Sequence, residues 1–298
     1  MRKKKLDYEE QIIKLKDLGI LFNDTSEETA KEILKSNTYL FKLMSFRKNV
    51  KKDSSGNYNF EFLALSDLAT LDMHLRYTLL PMCLDIEHSL KTVILKKITE
   101  DSNEDGYTIV DDFINFHQGD KSKIFESVIK KDGNVLPSYQ KYYNDPPVWV
   151  AIELMPYGQF CSFVEFYSDR TKDKELKKAG KYIKFVRNVR NKCAHSRPLI
   201  LNLIPRKQLK IEHDLFQLGL NHGLKPGNMK VLPIIDILSL LVLHSKYCSD
   251  GIKNNRSIAL QQFKQRKDRH YKYYRNVPTL SFFFTSLNKM IDYYSKNV

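Results

Sequence analysis

The chain lacks the marks of several large protein classes. Its 298 residues hold four cysteines, Cys83, Cys161, Cys193 and Cys248, far apart and without a C-x-x-C pair. Neither a zinc site nor a disulfide framework is expected from that pattern. Cys161, beside Phe160 and Phe163, reads as a buried thiol, which fits a reducing compartment. There is no G-x-x-x-x-G-K-[ST] phosphate loop, no G-x-G-x-x-G, no G-x-S-x-G and no H-E-x-x-H. No carboxylate cluster has two-metal spacing, so no cofactor is expected. The most apolar stretch, residues 231–244, is too short to span a bilayer and is interrupted by Pro233, Asp236 and Ser239. The start, Met1-Arg2-Lys3-Lys4-Lys5, leads into Asp7, Glu9 and Glu10 instead of an apolar run, which argues against secretion. A cytoplasmic protein without membrane contact is the expectation. Acidic residues are the minority, 35 against 49 Lys and Arg, giving a net charge of +14 and a pI near 9.4. That balance points to a polyanionic partner, with charge kept only for solubility as the other reading.

What the chain does contain is helical. Hydrophobic residues make up 42%, enough for an ordinary packed core. Apolar positions recur at helical spacing over 8–18, 27–36, 65–79, 81–99, 148–155, 159–167, 174–197, 231–247, 257–274 and 280–294. Thr25 or Ser26 can cap the second of these, and Pro81 predicts a break between the third and fourth. Residues 47–58, 133–147 and 221–228 read as loops, and 101–118 as a mixed acidic stretch. No period-2 strand and no internal repeat is present. The predicted fold is an all-α helical bundle. We divide it into an N-terminal helical region, 1–64, and a larger helical domain, 65–298, whose part from 231 to 298 is basic.

One stretch offers chemistry: Phe185-Val186-Arg187-Asn188-Val189-Arg190-Asn191-Lys192-Cys193-Ala194-His195. On a helix that turns about 100° per residue, Arg190, Asn191 and His195 lie within roughly 80° of Arg187. Tyr182, Phe185, Val186, Val189 and Cys193 fall on the opposite, apolar arc. Histidine can move a proton near neutral pH, arginine can hold a phosphate through paired N–H groups, and asparagine can orient either partner. Together they can cleave RNA without a metal. Pro198 predicts that the helix stops near Arg197. Spacing alone says little: with 12 Arg and 8 His, chance supplies about one such pair. A second pair, Arg206 with His213, comes after Pro205, has no polar stripe and is read as accidental. A solvated helix face is the plain alternative for Arg190 and His195.

The neighbouring residues carry a resemblance. Arg190-Asn191-Lys192-Cys193-Ala194-His195 resembles the R-x4-6-H signature of HEPN ribonucleases. Tyr8-Glu9-Glu10-Gln11-Ile12, with Leu15 and Leu18-Gly19-Ile20, resembles the opening helix of the abortive-infection AbiF/AbiD (Abi-like) proteins. Leu68 to Asp72 with Leu75-Arg76 is similar to their "fD..LR" segment, and Asp85-Ile86-Glu87-His88-Ser89-Leu90-Lys91 to their "iE..lr" helix. Pro147-Val148-Trp149-Val150-Ala151-Ile152-Glu153 and Gly158 resemble their "P.W...E....G" run. The matches run in order from about residue 8 to residue 199, and nothing in the remaining tail is recognisable. The resemblance implies a HEPN-type bundle with an N-terminal helical extension and C-terminal helices. It also implies a homodimer with two motifs facing one cleft, and a role in phage defence by growth arrest. Some relatives are partnered by small structured RNAs that restrain them.

Two further sets of residues are candidates. Residues 263–275 contain Lys264, Arg266, Lys267, Arg269, His270, Lys272 and Arg275 interleaved with Tyr271, Tyr273 and Tyr274. Cations can track phosphates while rings stack on unpaired bases, so Lys264, Arg266, Lys267, Arg269 and Tyr271 are expected RNA contacts. A solvated helix with inward tyrosines is the alternative. Glu87 is a candidate to orient Arg190 or Arg187 through a bidentate ion pair, with an ordinary surface carboxylate as the other reading, and Glu153, if buried, is expected to pair with Arg76 or Arg187.

The expected activity is metal-independent RNA cleavage by attack of the 2′-hydroxyl, with His195 moving protons, Arg190 and Arg187 steadying the phosphoryl oxygens and Asn191 positioning. The alternative is a non-catalytic RNA-binding or regulatory protein of a defence or toxin–antitoxin system. RNA is the expected partner in either case, as substrate or as a small structured regulator.

Overall fold

Helix starts obey local capping chemistry. In the computed structural model, which describes residues 4–116 and 122–297, α1 (Tyr8–Lys16) begins at Asp7. The Asp7 carboxylate accepts the Glu10 backbone N–H at 2.8 Å, and Glu10 accepts the Asp7 N–H at 3.1 Å. Ser26, not Thr25, caps α2 (Glu27–Ser36), its Oγ accepting the Thr29 N–H at 3.2 Å. Residues 1–3 of the basic start and residues 117 and 118 of the acidic stretch lie outside the described residues.

α3 (Leu40–Phe46) leads to α4 (Phe62–Glu100), a single helix of 39 residues with Pro81 inside it. The break expected at Pro81 does not occur. An internal proline costs about 3 kcal/mol through one lost hydrogen bond and a clash with the preceding turn. Leu79, Met82, Cys83 and Ile86 around it are all fully buried, and the Leu, Met and Ile side chains each contribute about 1.5–3 kcal/mol, which offsets that cost.

Next come α5 (Thr108–Phe116), α6 (Ser122–Phe125), α7 (Gln140–Tyr143), α8 (Val148–Leu154) and α9 (Tyr157–Thr171). The chain continues through α10 (Lys174–Ala194), α11 (His213–Asn221), α12 (Leu232–Tyr247), α13 (Asp250–Asp268) and α14 (Pro278–Lys296). Periodicity does not announce α3, α5, α6, α7 or α11. α13 starts seven residues before its expected position and ends at Asp268; Tyr271–Tyr273 form a 3-10 turn instead of a further helical turn. The only sheet among the described residues is a parallel pair, β1 (Ile20–Leu21) beside β2 (Phe60–Glu61). The fold is an all-α helical bundle.

Contacts gather these elements into two units, neither contiguous in sequence. The first takes the chain up to Leu80, Val189–Leu238 and the residues from Asn254 on; the second takes Pro81–Asn188 and Ser239–Lys253. The first is cored by Leu65, Leu68, Leu71 and Leu75 of α4 with Phe283, Phe284, Leu287 and Ile291 of α14. The second is cored by Ile86, Leu90 and Ile94 of α4, Phe113 of α5 and Phe160 and Phe163 of α9, with the Phe113 and Phe163 rings edge-to-face at 5.0 Å. No helix among the described residues is long and apolar enough to cross a membrane.

Candidate functional site

α10 is started by an aspartate and stopped by a serine. Asp173 accepts the Glu175 and Leu176 N–H groups at 2.9 and 3.0 Å. Its apolar arc is buried as the spacing requires: Tyr182, Ile183, Phe185, Val186, Val189 and Cys193 are all at 6% exposure or less. At the other end Arg197 N–H reaches the Lys192 carbonyl at 2.8 Å and Ser196 N–H the Cys193 carbonyl at 3.2 Å. This is a Schellman closure, with Ser196 left-handed at φ 51° where glycine is usual. The helix therefore stops at Ala194, short of the expected Arg197, because the chain must already be extended before Pro198. His195 becomes the C-cap residue and is exposed.

The polar side chains of the motif lie as the helical wheel predicts. Asn191 and Arg187 are exposed, and Arg190 is half-buried with its Nε shielded from solvent. Lys192 departs from them, 3.5 Å from Asp236 of α12.

The segment after His195 is pinned. Leu199 and Ile200 donate their backbone N–H groups to Asp72 Oδ1 at 2.6 and 2.8 Å, while Arg76 Nε donates to Asp72 Oδ2 at 2.9 Å. Asn49 Nδ2 donates to the Ile200 carbonyl at 2.8 Å. Asp72 is fully buried and Arg76 is 2% exposed. The carboxylate thus joins the motif helix's exit to α4, and the turn carrying His195 inherits a fixed position. Sequence reasoning missed this role. The signal was present: two opposite charges four residues apart inside the run Leu68, Leu71, Leu75, Leu79 have no buried partner nearer than each other.

The second basic stretch corrects an expectation. Lys267 is 1% exposed, paired with Asp268, its ammonium 5.4 Å from the Tyr271 ring and 5.8 Å from that of Phe284. Lys264 pairs with Asp292 at 2.6 Å and Arg266 with Asp67 at 2.8 Å. The Tyr271 hydroxyl lies 3.3 Å from Ser281 Oγ. Of the five expected RNA contacts only Arg269 is exposed. The reason is helical spacing: Leu260 and Phe263 are buried, and Lys267 continues the same line one turn on.

The Abi-like protein family matches residues 32–201, more than half of the 298 residues. The chain belongs to the Abi-like family. No curated protein and no solved structure matches it. The matched span of this Abi-like protein holds the motif helix and its anchor, Asp72 with Arg76, while the opening segment at residues 8–20 and the basic stretch at 263–275 lie outside it.

Within the second unit of the Abi-like protein, other residues of the resemblance pair among themselves. Among the described residues Glu87 pairs with no arginine; its Oε1 lies 3.2 Å from Lys91 Nζ, one helical turn on, the favourable Glu-to-Lys order. Lys91 also lies 3.5 Å from Glu153, whose side chain is 75% exposed instead of buried. α8 turns Val148, Ala151, Ile152 and Leu154 inward, which leaves Trp149 and Glu153 on its outer side. Arg187 packs beside the start of α9, its Nη1 4.0 Å from where a Cβ on Gly158 would stand. Burial pushes the Cys161 and Cys193 thiols up to about 12, so both are inert packing groups. Among the described residues no group of three His, Cys, Asp or Glu side chains is arranged to hold a metal ion.

Proposed function

We propose that this Abi-like protein is an RNA endonuclease of the HEPN kind that works without a metal ion. Family membership points to abortive-infection defence against phage. The observation that carries the enzymatic reading is the end of α10. An arginine, an asparagine and a histidine share the arc opposite the buried stripe, with the histidine exposed on a pinned turn.

In this mechanism the ribose 2′-hydroxyl attacks the adjacent phosphorus and the bond to the 5′-oxygen breaks. His195 takes the hydroxyl proton or gives one to the departing oxygen. Arg190 stabilises the charge gathering on the phosphoryl oxygens, with Arg187 one turn back in support, and Asn191 holds the imidazole or a phosphate oxygen. The products are a 2′,3′-cyclic phosphate and a 5′-hydroxyl. DNA lacks the nucleophile and survives. Two proton transfers call for two groups, and a second copy of the chain facing the first supplies the other. The active form is therefore a homodimer, which sedimentation at working concentration tests.

The deciding experiment is incubation of total RNA with purified protein in EDTA, beside its His195→Ala variant. Cleavage falls by about a hundredfold or more in the variant, the usual worth of a positioned acid–base group. An exposed C-cap side chain carries little stability, so the melting temperature holds. A folded variant that cleaves at the parent rate overturns the assignment.

A further inference from the structure

A pocket of about 380 Å³ opens in the first unit beside the turn just past His195. Tyr39, Lys42, Thr70, Arg76, Tyr77 and Ser196 are among its walls. Ser196 is the next residue after His195, so the pocket adjoins the proposed cleavage position.

The charge of this pocket is not balanced from within. Arg76 donates only through Nε, to Asp72, and its guanidinium lies 5.9 Å from the Tyr77 ring centre; its two Nη groups make no hydrogen bond among the described residues, although the side chain is 2% exposed. Lys42 is half-buried, and its ammonium has neither a hydrogen bond nor an ion pair among the described residues. Asp72 is the nearby carboxylate, and it already accepts from Leu199, Ile200 and Arg76. Burial and then the Arg76 guanidinium lower the Lys42 ammonium from its ordinary value, as expected where two cations share one committed carboxylate. An anion entering between them relieves both, and a guanidinium with two open Nη groups suits phosphate oxygens.

The rim adds a second chemistry. Tyr39 and Tyr77 are large rings left 59% and 63% exposed. Exposed rings beside a cationic floor are the two parts of a single-strand binding platform, base on ring and phosphate on cation. The volume falls within the range of about 300–1,000 Å³ that suits a small ligand.

We propose that this pocket holds one nucleotide of single-stranded RNA, its phosphate on Arg76 and Lys42 and its base on Tyr39 or Tyr77, next to the bond presented to His195. The choice of RNA rests on the cleavage reading; the phosphate and stacking chemistry does not.

The test uses full-length His195→Ala protein and a fluorescein-labelled single-stranded pentaribonucleotide, read by anisotropy. Arg76 is too deeply buried to replace safely, so the variants are Lys42→Gln and Tyr77→Ala. Lys42→Gln weakens binding about tenfold, as loss of a charged hydrogen bond does. It also reduces the slope of log K against log salt by about 0.7. Tyr77→Ala weakens binding about fivefold or more and leaves that slope alone. A pentamer of the same backbone without bases separates a nucleotide from a bare phosphate. Weaker binding of the abasic strand, with no further loss in Tyr77→Ala, supports the proposal. Equal binding of both strands reduces the pocket to an anion site and overturns it, as does binding within about twofold of the parent in both variants, too little for a lost phosphate or base contact. Cleavage is not read, so failure of the nuclease leaves this result standing. Unchanged binding here, beside RNA cleavage by the parent protein in EDTA, sinks the pocket alone.

Discussion

Two basic stretches of this protein look alike as sequence and are used in opposite ways. Residues 187–195 and 264–275 each mix arginine, lysine and histidine, and each is anchored by one aspartate of α4. Asp72 takes backbone N–H groups beyond the first stretch, at Leu199 and Ile200. Asp67 takes the side chains of the second: Arg266 at 2.8 Å, His270 at 2.9 Å and the Tyr274 hydroxyl at 2.5 Å. An aspartate that binds the backbone fixes a segment and leaves its side chains available. An aspartate that binds the side chains consumes them. The positive charge of a stretch therefore says less about its partner than the carboxylates folded against it.

Removing the first anchor has the largest expected effect on stability. Asp72→Ala leaves the buried Arg76 charge without a partner and orphans two backbone N–H groups, which costs about 3–5 kcal/mol. Denaturant unfolding reads the loss; on the proposed mechanism RNA cleavage falls with it as the His195 turn loosens. A loss below about 1 kcal/mol, the size of one ordinary hydrogen bond, means that the turn is held by other contacts.

The second anchor is more exposed and worth less. Asp67→Asn costs about 1.5–3 kcal/mol near neutral pH, the value of hydrogen bonds to a charged group. It has a pH signature as well. Burial raises the Asp67 carboxyl, but the hydrogen bonds from Tyr274, Arg266 and His270 outweigh it and hold the group below the usual carboxylate range. A depressed value means that the unfolded chain binds the proton first. The stability contribution is present above about pH 4 and is lost as pH falls through the lowered folded value. The gap between wild type and Asp67→Asn should narrow in acid unfolding curves; a gap that stays constant removes the ionic part of the argument.

Much of this contrast was legible and some was not. Periodicity placed α10, its buried arc and its polar face, because 3.6-residue spacing is local information. The same rule, applied to Leu260, Phe263 and Lys267, would have placed Lys267 inside; a count of positive charges hid it. The fused α4 was not legible, since the burial that carries Pro81 is supplied by the fold. The pairing of Asp67 with Arg266 spans 199 residues, and no local pattern announces it.

Lys267 tests whether the buried cation matters at all. Lys267→Met keeps the length and the contacts with Tyr271 and Phe284 while removing the charge. Apolar replacement of a buried ion is often neutral or stabilising, so the melting temperature should hold or rise. RNA affinity should not move, because the ammonium is out of reach of solvent. A clear fall in affinity would return this residue to the RNA-binding surface.

The smallest effect belongs to Arg269, and it is the one that separates the two uses of charge most sharply. Of the five cations and rings expected to meet RNA in this region, it alone is exposed, and it makes no ion pair among the described residues. If RNA passes here, Arg269→Gln removes one phosphate contact and lowers the salt slope by about 0.7, with a matching loss of affinity at low salt. The double change Lys264→Gln with Arg266→Gln should leave the salt slope alone and instead lower stability, since both side chains hold carboxylates of other helices. Equal slopes for wild type and Arg269→Gln would mean that this face carries no RNA. The polyanion contacts would then belong to the motif helix and the pocket beside it.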